Sequence, residues 1–414
     1  MGLVEPVIAI AVSLGFLVVL LYKRVNLGLA LNATAIVLAL LSLSWQEIPS
    51  LIFRTTVDLL TISVVLATFG IMLLSQLYKE TGLISHLSEN LSRLIKNPKI
   101  VMSVLPAVIG LLPVAGGALM SAPLVDSEAE KLKLKPDKKA YVNLWFRHTI
   151  FPVYPLSQVL ILAAFLAETT VLTIIIRQVP VVIVMVIVGY IIGFWKVPNP
   201  KKEEPSEGEN TATADLKSFV VAFSPIMASI IVAVGLDVVG FDLAKLGFDV
   251  LIAVVAGLAV LIMISKPSTQ TITKPFRNWG IYGITFAAYG AFLLGNVMKA
   301  TGISKIFENL AASGNIDSTI LLTAIPAVLG ILTASALGGV SISIPLLSGM
   351  MTISPKMTSL IYMSAYLGYV TSPTHLCLTF TADYFKCSLG KVYKYVIPSV
   401  AVTFTAVLLV YFLV

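Results

Sequence analysis

One apolar stretch occurs twice in this chain, and proline and glycine interrupt both copies at matching places. Residues 105–125 read LPAVIGLLPVAGGALMSAPLV, and residues 325–347 read IPAVLGILTASALGGVSISIPLL. Pro106 aligns with Pro326, Gly110 with Gly330, Gly116-Gly117 with Gly338-Gly339, and Pro123 with Pro345, with two residues inserted in the second copy. Such punctuation breaks an apolar helix near its middle. Inside a bilayer, broken backbone is tolerated only where it is buried in protein or lines a cavity. A pair of Gly/Pro-interrupted segments at corresponding positions of two halves points to the binding site of a secondary transporter. A glycine-rich surface for close helix packing is the competing reading.

The medium is set by composition. Of 414 residues 57% are hydrophobic and 12% charged, with mean hydropathy +0.96, against about 25% charged in soluble domains. A polytopic membrane protein follows. The net charge of +7 sits in short loops between apolar spans, so it bears on orientation rather than on nucleic acid. No basic patch interleaved with aromatics suggests an RNA or DNA partner. Cys377 and Cys387 are too few and too oddly placed for a disulfide framework or a metal or redox pair, and read as inert thiols. Residues 4–22 lack a basic leader and are followed by Lys23-Arg24, which predicts a first span rather than a cleaved signal. Myristoylation would need Ser or Thr where Pro6 stands.

Apolar runs near 20 residues match a hydrocarbon core of about 30 Å. The first repeat, 1–195, holds spans at 4–22, 27–44 and 57–78, and an amphipathic interface helix at 82–96. A hairpin at 98–126, an interrupted span at 140–167 and a span at 178–195 complete it, the last preceded by a short amphipathic piece carrying Arg177. A polar linker with Pro198, Pro200, Pro205 and Gly208 covers 196–217. The second repeat, 218–414, follows the same plan: spans 218–236, 245–265 and 279–298, an interface helix at 303–313, a hairpin at 317–348, an interrupted span at 357–385 and a last span at 393–414. Thr81-Gly82 matches Thr301-Gly302, and Pro152 falls opposite Pro373. A period this long means a duplicated half rather than a solenoid.

The expected fold is all-α, with two inverted repeats of five transmembrane helices each, one of them interrupted, plus one re-entrant hairpin per repeat. Under that topology six cations (Arg54, Arg177, Lys245, Lys299, Lys305 and Lys356) lie on one face, Arg147 lies in the membrane, and the remaining 21 of the 28 lie on the other face. Positive charge marks the cytoplasm, so both termini face out and the chain belongs in the cytoplasmic membrane. Treating the Gly/Pro stretches as full spans separates the basic loops 79–99 and 126–139 and worsens the charge split.

Ionisable residues inside a span are costly and suggest function. Arg147 and His148 lie at the first break; a helix starting near Lys139 puts them roughly 12–15 Å along it, close to mid-membrane. A broken helix exposes N–H groups and a positive dipole end that favour an anion. Arg147 would clamp a carboxylate or phosphate, beside Thr149, and His148 would carry a proton near neutral pH. The alternative has Arg147 snorkelling to the cytoplasmic face with His148 in a structural role. At the second break, Thr371, Ser372, Thr374 and His375 offer hydroxyls and freed carbonyls for Na⁺, around Ser372 and Thr374, or for a polar substrate; the alternative is hydroxyls satisfying the kinked helix's own backbone. His375 is the second proton-coupling candidate. The hairpin tips contribute Gly116, Gly117 and Ser121, and Ser335, Gly338, Gly339, Ser341 and Ser343, for close backbone approach and hydroxyl ligands. No enzyme signature or P-loop occurs, and three histidines are too scattered in sequence for a metal cluster, so neither an enzyme nor a cofactor is expected.

LPAVIGLLPVAGGALMSAPLV, FRHTIFPVYPLSQ and YVTSPTHLCL resemble an uncharacterised prokaryotic membrane family of the ion-transporter superfamily, distantly similar to gluconate permeases. The resemblance implies a secondary carrier of a small organic anion, a carboxylate or sugar acid, held between hairpin tips and helix breaks and moved by an elevator-like shift. It also implies a homodimer, by analogy. The Ser-Asn-Thr signature of dicarboxylate and citrate carriers is missing: Gly116-Gly117-Ala118 and Leu337-Gly338-Gly339 stand there. Coupling to H⁺ through His148 or His375 is therefore favoured over Na⁺. The other classes to separate are a passive anion channel or exchanger and a non-transporting membrane protein.

Overall fold

Proline and short polar residues fix where the apolar runs become helices. The computed structural model describes residues 5–112, 117–198, 216–240, 246–302 and 317–413, and every regular element among them is helical. The first half comprises α1 (Pro6–Tyr22), α2 (Leu27–Ser42), α3 (Glu47–Val57), α4 (Leu59–Glu80), α5 (Leu83–Leu94), α6 (Pro98–Gly110), α7 (Gly117–Lys131), α8 (Pro136–Thr149), α9 (Gln158–Leu166) and α10 (Val171–Phe194). The second comprises α11 (Leu216–Val238), α12 (Phe248–Ser265), α13 (Thr269–Thr273), α14 (Trp279–Ala300), α15 (Ser318–Thr333), α16 (Ala336–Ser348), α17 (Pro355–Thr371), α18 (Leu376–Tyr384) and α19 (Leu389–Leu413). Side chains of Asn26, Asp58, Asn97, Asn278, Asp317 and Ser354 accept from backbone N–H groups in the first turns of α2, α4, α6, α14, α15 and α17. They satisfy donors that a helix start leaves open. Proline opens α6, α8 and α17, where its missing N–H costs nothing.

Seven helical segments among the described residues are long and apolar enough to cross a membrane, α8 and α9 counting as one. α1 and α2, with 17 and 16 residues, are shorter, and α17 and α18 are divided by the second break. One expectation needs correction, and one element was not anticipated. Arg177 is not on a separate piece: α10 runs from Val171 through Pro180 without interruption. The residues between the second and third spans form a helix, α3, that apolar run length alone does not reveal. Most of the linker (199–215) and the interface helix expected at 303–313 lie outside the described residues.

The order of elements in the second half follows the first, and the packing partners exchange between halves. α2 packs on α14 and α12 on α4; α9 packs on α16 and α18 on α7; α8 packs on α19 and α17 on α10. The interrupted elements run in opposite directions. Asn143 bonds Thr381 at 3.3 Å, the carbonyl of His148 accepts from Tyr366 at 2.5 Å, and that of Phe151 accepts from Tyr362 at 3.3 Å.

The outer ends of α6 and α7 share one face. Lys99 Nζ donates to the Val197 carbonyl at 2.7 Å, Lys138 Nζ donates to that of Trp195 at 3.0 Å, and Lys139 pairs with Asp126 at 2.5 Å. With 13 and 15 residues, α6 and α7 span only about 20 Å and 22 Å. At another place in the fold, Lys299 pairs with Glu168 at 2.9 Å. There a cavity of about 550 Å³ is lined by Arg54, Asp58, Phe165, Asn296, Lys299 and Ser348.

Small residues let backbones touch. A Cβ at Gly330 would collide with the Ala365 carbonyl, one at Gly368 with that of Ala327, and one at Gly110 with that of Arg147. α15 with α17, and α6 with α8, therefore cross in direct backbone contact, the small-residue packing of membrane helices. A branched side chain at Gly330 meets fixed backbone, and overpacking of this kind costs about 1–3 kcal/mol. We expect Gly330→Val to lower the melting temperature of the purified protein, while Gly15→Ala, with nothing within 4 Å of the added carbon, leaves it unchanged; equal behaviour of the two variants would contradict the crossing.

Candidate functional site

Both helix breaks lie at the crossing of the interrupted elements, and each releases backbone groups that need partners. At the first, α8 ends at Thr149, and a 3₁₀ turn over Phe151–Val153 leads to α9. The carbonyls of His148 and Phe151 are taken by the Tyr366 and Tyr362 hydroxyls of α17. At the second, α17 ends at Thr371, whose carbonyl accepts from Tyr393 at 2.9 Å. Ser372 Oγ donates to the Ile331 carbonyl at 2.7 Å. The breaks are satisfied largely from other helices, as a membrane interior requires.

Arg147 is 2% exposed and reaches neither solvent nor the surface. Its guanidinium lies on Gly117, the first described residue of α7, so closely that a Cβ there would stand 2.7 Å from Cζ. No carboxylate pairs with it among the described residues, and Nη1 has no hydrogen-bond partner. A buried cation therefore lies against Gly117 with no carboxylate paired to it among the described residues. Insertion scales put an arginine at a helix centre at about +2.5–3.5 kcal/mol.

His148 is fully buried. Its Nδ1 is 2.7 Å from the Leu144 carbonyl, which can only accept, so Nδ1 carries the proton and Nε2 keeps its lone pair in the neutral ring. Nε2 lies 3.4 Å from the Tyr369 hydroxyl. His375, 1% exposed, stands edge-on to His148 with ring centroids 4.9 Å apart, and 4.0 Å from the Tyr369 ring. Neither of its ring nitrogens makes a well-formed hydrogen bond, and the Val370 backbone is the group close enough to interact. Two histidines distant in sequence thus meet where the halves cross. Together with the half-buried Cys377 they place donor atoms within 4.8 Å of one another.

The remaining residues singled out from sequence divide clearly. Gly116 lies outside the described residues. Gly117 makes room for the guanidinium, whereas Gly338 packs on Thr333 and Gly339 on Ala365 and Gly330. Ser335 caps α16, accepting from the Gly338 N–H at 3.2 Å. Ser341 and Ser343 are buried and donate to their own helix at the Gly338 and Gly339 carbonyls. Thr149 donates to Phe146, and Thr371 to Leu367 and Gly368. Ser121 donates to Asn143 Oδ1 at 2.6 Å; Asn143 in turn donates to the Ala118 carbonyl at 2.9 Å and reaches Thr381. Thr374 is exposed and lies 3.2 Å from Ser372 Oγ. The hydroxyls mostly close local backbone, while Arg147 meets Gly117 and His148 meets His375.

Two groups went unread in the sequence. Asn143 stands one helical turn before Arg147, a buried amide joining α7, α8 and α18. Tyr362, Tyr366 and Tyr369 recur at spacings of four and three on α17 and form one wall of the crossing. That spacing was the available signal, since it stacks side chains on one helix face.

The chain belongs to the family described as "Protein of unknown function (DUF401)", whose match runs over residues 7–414 and so takes in both halves. No curated protein matches it.

Asn143→Leu would remove the bonds to Ser121, Thr381 and the Ala118 carbonyl and leave only the 3.2 Å bond from Ser121 to that carbonyl, each unmade buried bond costing about 1–3 kcal/mol. The expected result is a melting temperature lower than that of Ser121→Ala. The reverse ranking would show that Asn143 is not the centre of that network.

Proposed function

We propose that this protein is a secondary carrier of a small organic anion, a carboxylate or sugar acid, coupled to H⁺ or Na⁺ and working by elevator-type alternating access in the cytoplasmic membrane. The observation that carries the reading is Arg147: buried, without a carboxylate partner among the described residues, and lying on Gly117. A guanidinium is suited to a carboxylate, and a carrier supplies one transiently. His148 and His375, beside it at the crossing, are the proton-coupling candidates.

The two halves act as inverted repeats in this reading, with α6–α7 and α15–α16 as re-entrant hairpins. Three observations support it: the antiparallel course of the interrupted elements, the exchange of packing partners, and the shared face of the outer ends of α6 and α7. The cavity beside Lys299 and Glu168 lies between α3, α4 and α14 on one side and the ends of α9 and α16 on the other. Movement of one group against the other would widen or close it. With both termini outside, residues 131 and 277 face the cytoplasm and residues 44 and 169 face out. In a background lacking Cys377 and Cys387, cysteines at 44 and 169 should react with an impermeant maleimide in intact cells, and cysteines at 131 and 277 only after permeabilisation; the opposite pattern would reverse the orientation.

The function is tested by thermal shift of the purified protein against carboxylates, sugar acids, phosphate and sulfate, followed by uptake into proteoliposomes. An anion at 100 times its dissociation constant stabilises by about 2.7 kcal/mol. Arg147→Ala should abolish the shift for that anion, and Gly117→Ala, which displaces the guanidinium, should weaken it. Uptake that persists without an ion gradient would mark a passive exchanger. No shift with any anion, together with wild-type behaviour of Arg147→Ala, would remove the reading.

A further inference from the structure

The second break brings a thiol to the two histidines. Cys377 lies on the first turn of α18, two residues beyond His375, and its Sγ lies within 4.8 Å of donor nitrogens of His148 and His375. We propose that His148, His375 and Cys377 form a binding site for a soft monovalent d¹⁰ metal ion, Cu(I), at the crossing of the two interrupted helices. The inference does not rest on the carrier reading.

Donor chemistry comes first. Imidazole and thiolate form the set that holds copper and zinc, and thiolate favours Cu(I). Ligand bonds of about 2.0–2.3 Å put donors roughly 3.3–4 Å apart in a closed site, so small side-chain rotations suffice from the present spacing. Orientation comes second. A metal-binding histidine commonly donates its other N–H to a carbonyl; His148 does so through Nδ1 to Leu144 at 2.7 Å, leaving Nε2 for the ion. His375 is 1% exposed, and its ring nitrogens make no well-formed hydrogen bond, the Val370 backbone being the group close enough to interact, so a ring nitrogen is open to a ligand. The rings of Phe151, Tyr366 and Tyr369 surround the pair, a shell from which water is largely displaced.

Charge selects between metals. Arg147 is next to His148 in the chain and buried. Zn²⁺ with two neutral imidazoles and one thiolate leaves a net positive charge beside that guanidinium. Cu⁺ with the same ligands is neutral. Binding converts the Cys377 thiol to thiolate and releases one proton to solvent, with no change in oxidation state.

The test uses the full chain, purified in detergent under anaerobic, reducing conditions. Cu(I) is titrated in competition with a chromophoric Cu(I) chelator, with Zn(II) in parallel. One Cu(I) per chain is expected. Cys377→Ser and His375→Gln should each weaken binding by more than the roughly 10–100-fold that outer-shell changes produce, and Cys387→Ser should not. X-ray absorption on the wild-type protein, which is independent of how the variants fold, should show one sulfur and two nitrogen ligands. A shell without sulfur, loss of binding in Cys387→Ser, a preference for Zn(II), or no stoichiometric binding would each overturn the proposal.

Discussion

A helix that breaks inside a membrane must find partners for the backbone groups it releases, and here the partners come largely from elsewhere in the fold. Tyrosines 362 and 366 of α17 take the carbonyls left open at the end of α8, Tyr393 of α19 takes that of Thr371, and Ser372 reaches back to α15. The first break, in one half, is thus closed by side chains of the other. Since hydrocarbon offers no substitute bonds, the crossing of the interrupted helices is a condition of folding as well as the place where polar chemistry collects.

That dependence explains why glycines stand where the helices cross. Hydroxyls can reach across only if the helices carrying them approach closely, and Gly330, Gly368 and Gly110 bring backbone against backbone. Most of the hairpin glycines and serines are therefore packing or capping residues. Gly117 differs because the atoms it admits are a guanidinium rather than a neighbouring helix. One motif, repeated twice, has one copy that packs and another that also makes space for charge.

Much of the architecture was legible in sequence, because apolar run length, proline and capping residues act locally. The long helices begin and end close to where those signals lie, and both interruptions fall beside Pro152 and Pro373. α3 was missed because its 11 residues include charge and hydroxyls, and run length recognises only long apolar segments. The short amphipathic piece expected to carry Arg177 is instead the start of α10, whose helix continues past Pro180. The site was legible in part. Arg147, His148 and His375 stood out as rare ionisable residues in apolar surroundings, but their convergence, and that of Cys377, is made by contacts more than 200 residues apart in sequence. Local periodicity carries no trace of such contacts, and for that reason the histidines read as scattered and the cysteine as inert.

The alignment of the two breaks has a consequence for charge. Pro152 opposite Pro373 sets Arg147 opposite Gly368 and His148 opposite Tyr369, and the last two touch across the crossing. An arginine at 368 as well would bring two guanidiniums toward a single centre; with glycine there and tyrosine at 369, the two matching stretches enclose a centre that has only one charged side.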